Sequence, residues 1–223
     1  MEQVIRIFIE LVRSEICGTP LGPETIAQIT PEILEELYKV AKSQDLAHMV
    51  GVALRKHKLL GDEKHIRKFM KPVHSVLLRY ELIRHEQQQI YSVFEKEKIV
   101  FVPLKGSVIR SYYPEPWMRT SCDIDILVHE KDLERAKDRL VSKLGYTVGR
   151  YKYHDISLYT PAGVHLELHF RIKENEDKVD QYLEKVWDYV RPVAGGRYQR
   201  KDRIPKGYPV FSGARDGTRT HTA

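Results

Sequence analysis

Three short stretches of the 223-residue chain carry side chains whose types and spacing could do chemistry. Asp123-Ile124-Asp125 sets two carboxylates two residues apart in an apolar run. In an extended strand, alternation turns Asp123 and Asp125 to one face and Cys122, Ile124 and Ile126 to the other. Neighbouring carboxylates repel and resist burial, so either a positive group offsets them or both stay in water at a strand end. Mg²⁺ is the natural candidate for that group, because it takes carboxylate oxygens together with substrate phosphates. The run His165-Leu166-Glu167-Leu168-His169 alternates in the same way, with His165, Glu167 and His169 on one face. Three readings stand there: Glu167 as the third acid of a metal site, the three side chains together as a zinc or iron site, or a polar strand side facing water. Finally, Lys105-Gly106-Ser107 follows a strand-like run and opens a helix. A Gly-Ser turn there lets backbone come close to a phosphate, and the helix start offers unpaired N–H groups. Such turns are common, so this one carries weight only beside the other two.

The elements that must position these residues can be read from periodicity. The first hundred residues are helical in pattern. Val4, Phe8, Leu11 and Val12 recur at helical spacing, and Thr30-Pro31-Glu32 opens a second helix with Thr30 as N-cap. A third begins after Asp45, and a long one is predicted from about Glu63 to Lys96. The tract His85-Glu86-Gln87-Gln88-Gln89 reads as a solvated helix face. From Lys98 the texture changes. Ile99 to Val102 is a β-branched and aromatic strand, and Pro103 to Tyr113 a loop with a short helix. Asp123 to Val128 is a strand, and Glu130 to Leu144 an amphipathic helix stopped by Gly145. Strands are predicted at 146–153, 156–159 and 164–170, with Gly163 at the last turn, and a final helix at about 178–190. The expected organisation is a helical N-terminal lobe over 1–97, a core over 98–190 and a basic, disordered or truncated tail over 191–223.

Composition excludes several classes. Hydrophobic residues make up 42% and charged residues 30%, a globular balance. No apolar run approaches the ~20 residues a bilayer helix needs. Glu2, Arg6, Glu10 and Arg13 interrupt the N-terminal apolar stretch, which argues for an amphipathic helix over a secretory signal. Cys17 and Cys122 are too few for a disulfide framework, so a reducing cytoplasm is the expected setting. The formal charge of +6 invites a nucleic-acid partner. Residues 191–223, however, hold eight basic and two acidic side chains, which account for all of it. The rest of the chain is charge-balanced, as suits an enzyme for a small substrate, and no helix-turn-helix or aromatic RNA-binding motif is present.

Taken together, the order strand, Gly-Ser turn, helix, Asp-x-Asp strand and later acidic strand resembles the nucleotidyltransferase superfamily with a DNA-polymerase-β-like core. The stretch Leu104 to Val128, LKGSVIRSYYPEPWMRTSCDIDILV, is most similar to that superfamily's uncharacterised nucleotidyltransferase family. The shared features are Lys-Gly before a small residue, a Tyr-Pro pair, an arginine ahead of the acids and Asp-Ile-Asp. His154 and the Glu-Leu-His of 167–169 also look like that family, and the likeness runs from about Ile99 to Trp187. Fifteen residues separate Ser107 from Asp123, more than in most of the superfamily.

The resemblance implies an α+β fold: a helical N-terminal lobe, then a nucleotidyltransferase-like mixed β-sheet core with flanking helices. It implies transfer of a nucleoside monophosphate from an NTP to an acceptor hydroxyl. Asp123, Asp125 and Glu167 would be catalytic and would hold Mg²⁺ or Mn²⁺, with Glu167 also drawing the proton from the acceptor. Gly106 and Ser107 would seat the β- and γ-phosphates, and Lys105 and Arg119 would balance their charge. His154 and His169 could contact the acceptor or the metal, with a structural hydrogen bond the favoured reading of each. The alternative is a catalytically silent nucleotide-binding or regulatory module on the same fold. Neither reading names the acceptor.

Overall fold

The computed structural model describes residues 1–172, 185–192 and 198–200. These fall into two units, Met1–Glu81 with Tyr112–Thr120, and Leu82–Ser111 with the chain from Ser121. The fold is α+β, with helices first and a mixed sheet after them. Among the described residues no helix is long and apolar enough to cross a membrane.

The first unit is helical: α1 (Glu2–Cys17), α2 (Pro23–Ala27), α3 (Pro31–Ser43), α4 (Ala47–Lys56) and the first half of α5 (Glu63–Lys96). Val4, Ile7 and Leu11 recur at helical spacing along α1 and join Leu34, Leu37, Val50, Leu54 and Phe69 in one core. Thr30 caps α3 as expected, its hydroxyl accepting from the Ile33 N–H at 3.4 Å. Gly51 of α4 faces α5 so closely that a Cβ there would stand 2.6 Å from the Phe69 carbonyl oxygen. His48 Nε2 lies 3.0 Å from the Met118 carbonyl oxygen, which ties the 112–120 excursion to this unit.

The second unit is built on a five-stranded sheet. Its strands are β1 (Phe101–Pro103), β2 (Asp123–Val128), β3 (Thr147–Tyr151), β4 (Asp155–Tyr159) and β5 (His165–His169), in the order β1-β2-β5-β4-β3. Only β2 and β5 run parallel; the other pairs are antiparallel. The one-turn α6 (Gly106–Ile109) follows β1, and α7 (Leu133–Leu144) follows β2 and ends at Gly145 with φ 70°. Alternation gives the sheet one apolar face: Ile124, Ile126, Ile156, Leu158, Leu166 and Leu168 pack against Leu133, Ala136 and Leu140 of α7 and Ile83, Ile90 and Phe94 of α5. Near Leu127 the other face is covered by Val186, Trp187 and Val190.

Two expectations are corrected. Glu86 and Gln87 are not on a solvated face but 9% exposed each. They sit on the side of α5 that carries Ile83, Ile90 and Phe94, so the sheet core covers them and each finds a polar partner. The final helix is not formed where it can be seen: Val186–Tyr189 is a single 3₁₀ turn and Val190–Pro192 is a strand (β6) paired antiparallel with Tyr198–Arg200 (β7). Pro192 disfavours helical geometry at the residue before it, which helps stop a helix there. Residues 178–184 of that expected helix, and the tail beyond Arg200, lie outside the described residues.

The Tyr146 hydroxyl donates to Glu86 Oε2 at 2.9 Å inside the second core. Burial pushes the phenol well above its ordinary value and the Glu86 charge pushes it further. A raised folded-state value favours folding at pH below the ordinary 10.0, and that contribution fades as pH climbs from there toward the folded value. Tyr146→Phe is expected to remove this alkaline loss of stability. At neutral pH it should cost about 1–3 kcal/mol, because the Glu86 carboxylate loses its donor. Urea melts of both proteins at pH 7 and above pH 10 check the sign.

Candidate active site

The polar face of the sheet is a small grid whose rows are fixed by strand register. Asp123, His165 and Tyr159 form one row, Asp125, Glu167 and Ser157 the next, and Leu127, His169 and Asp155 the third. Asp125 and Glu167 are therefore direct partners on parallel strands. Asp123 is half-buried one row along, and Asp125 is buried.

The β1–α6 turn supplies the compensating charge. Lys105 holds φ 42° and ψ −115°, a conformation in which its Cβ is strained. The Leu104 N–H donates to the Asp125 carbonyl at 3.0 Å, anchoring the turn to β2. Lys105 Nζ lies 3.0 Å from Asp125 Oδ1 and 3.8 Å from Glu167 Oε2. His169 Nε2 is 3.1 Å from Asp125 Oδ1 and 3.4 Å from Glu167 Oε2. A carboxylate only accepts, so Nε2 carries the imidazole proton. Burial pushes the Asp125 carboxyl up. The bonds from His169 and Lys105, with the Lys105 charge, outweigh it and hold the group below the usual carboxylate value. Burial pulls the Lys105 ammonium down, but Asp125, Glu167 and Asp123 more than restore it, and it ends above the ordinary lysine value.

Gly106 is buried against Ser121, where an added Cβ would stand 3.3 Å from the serine Cβ. The Ser107 hydroxyl accepts from the Gln87 amide, and Arg110 clamps the turn by donating to the Gly106 carbonyl and the Ser121 hydroxyl. Arg119 lies in the first unit and is not part of this cluster; its Nε is buried without a hydrogen-bond partner among the described residues. His165 stacks on Tyr159 with ring centroids 5.0 Å apart.

One ligand atom from each of Asp125, Glu167 and His169 lies within 4.8 Å of the other two. Two hard carboxylate oxygens that already draw a side-chain cation between them suit a divalent ion of the Mg²⁺ type. Among the described residues neither the rival trio of His165, Glu167 and His169 nor the expected trio of Asp123, Asp125 and Glu167 meets within that distance.

Sequence reading missed two members of this face. Asp155 is fully buried, and Lys152 Nζ bridges it to Glu167 at 3.3 Å from each carboxylate. The signal is present: starting the expected 156–159 strand (β4) one residue earlier puts Asp155 in phase with Ser157 and Tyr159.

A helix-backed mixed sheet with paired carboxylates on its open face defines the class of this second unit. Residues 31–201 match the family described as uncharacterised nucleotidyltransferase, and the chain belongs to that family. No curated protein matches the chain.

Proposed function

We propose that the protein is a metal-dependent nucleotidyltransferase that moves an NMP from an NTP to an acceptor hydroxyl. The observation that carries this is the register pairing of Asp125 with Glu167 and the Lys105 ammonium held by both. On this reading Asp123, Asp125 and Glu167 hold Mg²⁺ or Mn²⁺, which when bound offsets charge on the phosphates and on the attacking oxygen. The chain's own groups do the rest. The Lys105 side chain is 58% exposed, so it can leave Asp125 and pair with a phosphate oxygen without crossing a packed core. Gly106, lacking a Cβ, lets the turn close on Ser121, and Gly106 and Ser107 are assigned to seat the β- and γ-phosphates. His169 keeps Asp125 in place through Nε2–H, and Glu167 takes the acceptor proton on a carboxylate oxygen. The catalytic core, 98–190, then follows a helical lobe over 1–97. A cytoplasmic setting is part of this reading, since Cys17 and Cys122 are too few for a disulfide framework.

A second reading has its own support. Asp125 is engaged by Lys105 and His169, and Ser107 by Gln87, so much of the site is internally paired. That arrangement suits a nucleotide-binding module without turnover. Pyrophosphate release from each NTP with Mg²⁺ or Mn²⁺, against pools of hydroxyl acceptors, separates the two. Release that EDTA abolishes supports the transferase. Saturable NTP binding with no pyrophosphate supports the silent module, and absence of NTP binding rejects both.

A further inference from the structure

Beside the carboxylate pair lies a second cluster, which shares only His169 with the proposed transferase site. His154, Asp155 and His169 each bring one ligand atom within 4.8 Å of the other two. Asp155 is 0% exposed and its Oδ1 is buried without a hydrogen-bond partner. His154 Nε2 lies 2.8 Å from Asp155 Oδ2 and carries a proton that an ion bound between the two would replace. His154 Nδ1 is also buried without a partner. His169 gives its Nε2–H to Asp125, which leaves its own lone pair on Nδ1. The two imidazole rings are near-parallel, 25° between planes with centroids 5.8 Å apart. The cluster thus sets two imidazoles beside a fully buried carboxylate that has one unpartnered oxygen.

We propose that His154, Asp155 and His169 form a binding site for one Zn²⁺ ion, distinct from the Mg²⁺-type carboxylate site and sharing a wall with it through His169. Two imidazoles and one carboxylate are the donor set of a borderline ion, with a fourth position left for water or substrate. A tetrahedral ion with bonds of about 2.0–2.2 Å holds its ligands roughly 3.4 Å apart, and His154 Nε2 and Asp155 Oδ2, 2.8 Å apart, already stand near that spacing. The His169 Nε2–H to Asp125 contact is the carboxylate partner that orients a metal-binding imidazole. Lys152, the other group on Asp155, is 43% exposed and can yield Oδ2 to the ion by turning into water.

The test is Zn²⁺ titration of the purified full chain against a chromophoric chelator, with Mg²⁺ in excess to fill the carboxylate site. One Zn²⁺ per chain is expected. His154→Gln and Asp155→Asn should each weaken it at least about tenfold, the lower end of what even outer-shell partners contribute. Glu167→Gln should retain it within about threefold. Zn²⁺ lost in Glu167→Gln but kept in His154→Gln would overturn the proposal, placing the ion among the acids. Absence of stoichiometric Zn²⁺ binding at micromolar concentrations would overturn it too. Should Asp155→Asn fail to fold, His154→Gln decides alone, since that side chain is 21% exposed and outside the core.

Discussion

Replacing Asp123 and Asp125 together by alanine is expected to abolish NTP turnover while leaving the fold intact. Asp125 is where the charge of the site converges: Lys105 and His169 both reach its Oδ1, and Glu167 stands beside it in register. Asp123 adds a second carboxylate on the same face, one row along. Charge stabilisation of a phosphoryl transition state by a metal held on such groups amounts to several kcal/mol, and about 4–6 kcal/mol corresponds to a loss of roughly 10³–10⁴-fold. The fold should survive because the groups left behind have exits. Lys105 is 58% exposed and simply hydrates, and His169 Nε2 keeps Glu167 Oε2 at 3.4 Å. Pyrophosphate release and a thermal melt on the same preparation check both halves. Turnover unchanged in the double variant would sink the nucleotidyl-transfer reading. A collapsed melt would instead require the milder Asp125→Asn.

Gly51→Ala is expected to be among the most damaging single changes in the helical unit. An added Cβ would lie 2.6 Å from the Phe69 carbonyl oxygen and 3.2 Å from Val73 Cγ2. The first of these is backbone of α5 and cannot rotate away, so α4 and α5 must separate around a core that contains Val50, Leu54 and Phe69. Overpacking of this kind costs typically 1–3 kcal/mol, offset only in part by the better helix propensity of alanine, ~1 kcal/mol. At roughly 2–4 °C per kcal/mol for a chain of this size, the melting midpoint should fall by several degrees. Gly61→Ala, where nothing lies within 4 Å, is the control and should leave the midpoint within about a degree.

Much of this was legible before any coordinates. The period-2 pattern of Asp123 to Val128 gave that strand its observed bounds, and the apolar positions of α5 placed it from Glu63 to Lys96. Alternation also put Asp123 with Asp125, and His165 with Glu167 and His169, on shared faces, and register confirms both rows. What the pattern could not supply was adjacency between strands. Nothing local says that β2 lies beside β5, so the meeting of Asp125 with Glu167 had to come from resemblance. The misread tract on α5 has the same root. Glu86 and Gln87 look solvated by type, but their helix side is set by Ile83, Ile90 and Phe94, and long-range partners Tyr146 and Ser107 make burial tolerable. Asp155 escaped because the strand was started one residue late.

The parallel pairing of β2 with β5 also has a temporal consequence. Strands β3, β4 and β5 are successive antiparallel neighbours and can zip through short turns, one of them at Gly163 with φ 77°. A parallel neighbour cannot be reached by a hairpin, so β2 must wait for α7 and the meander to form before β5 docks against it. Asp125 and Glu167 therefore meet only through this long-range pairing and not through any local turn. A nascent or locally opened chain keeps its Asp-x-Asp segment and its Glu167 segment apart, and whatever this site does is done only by the finished sheet.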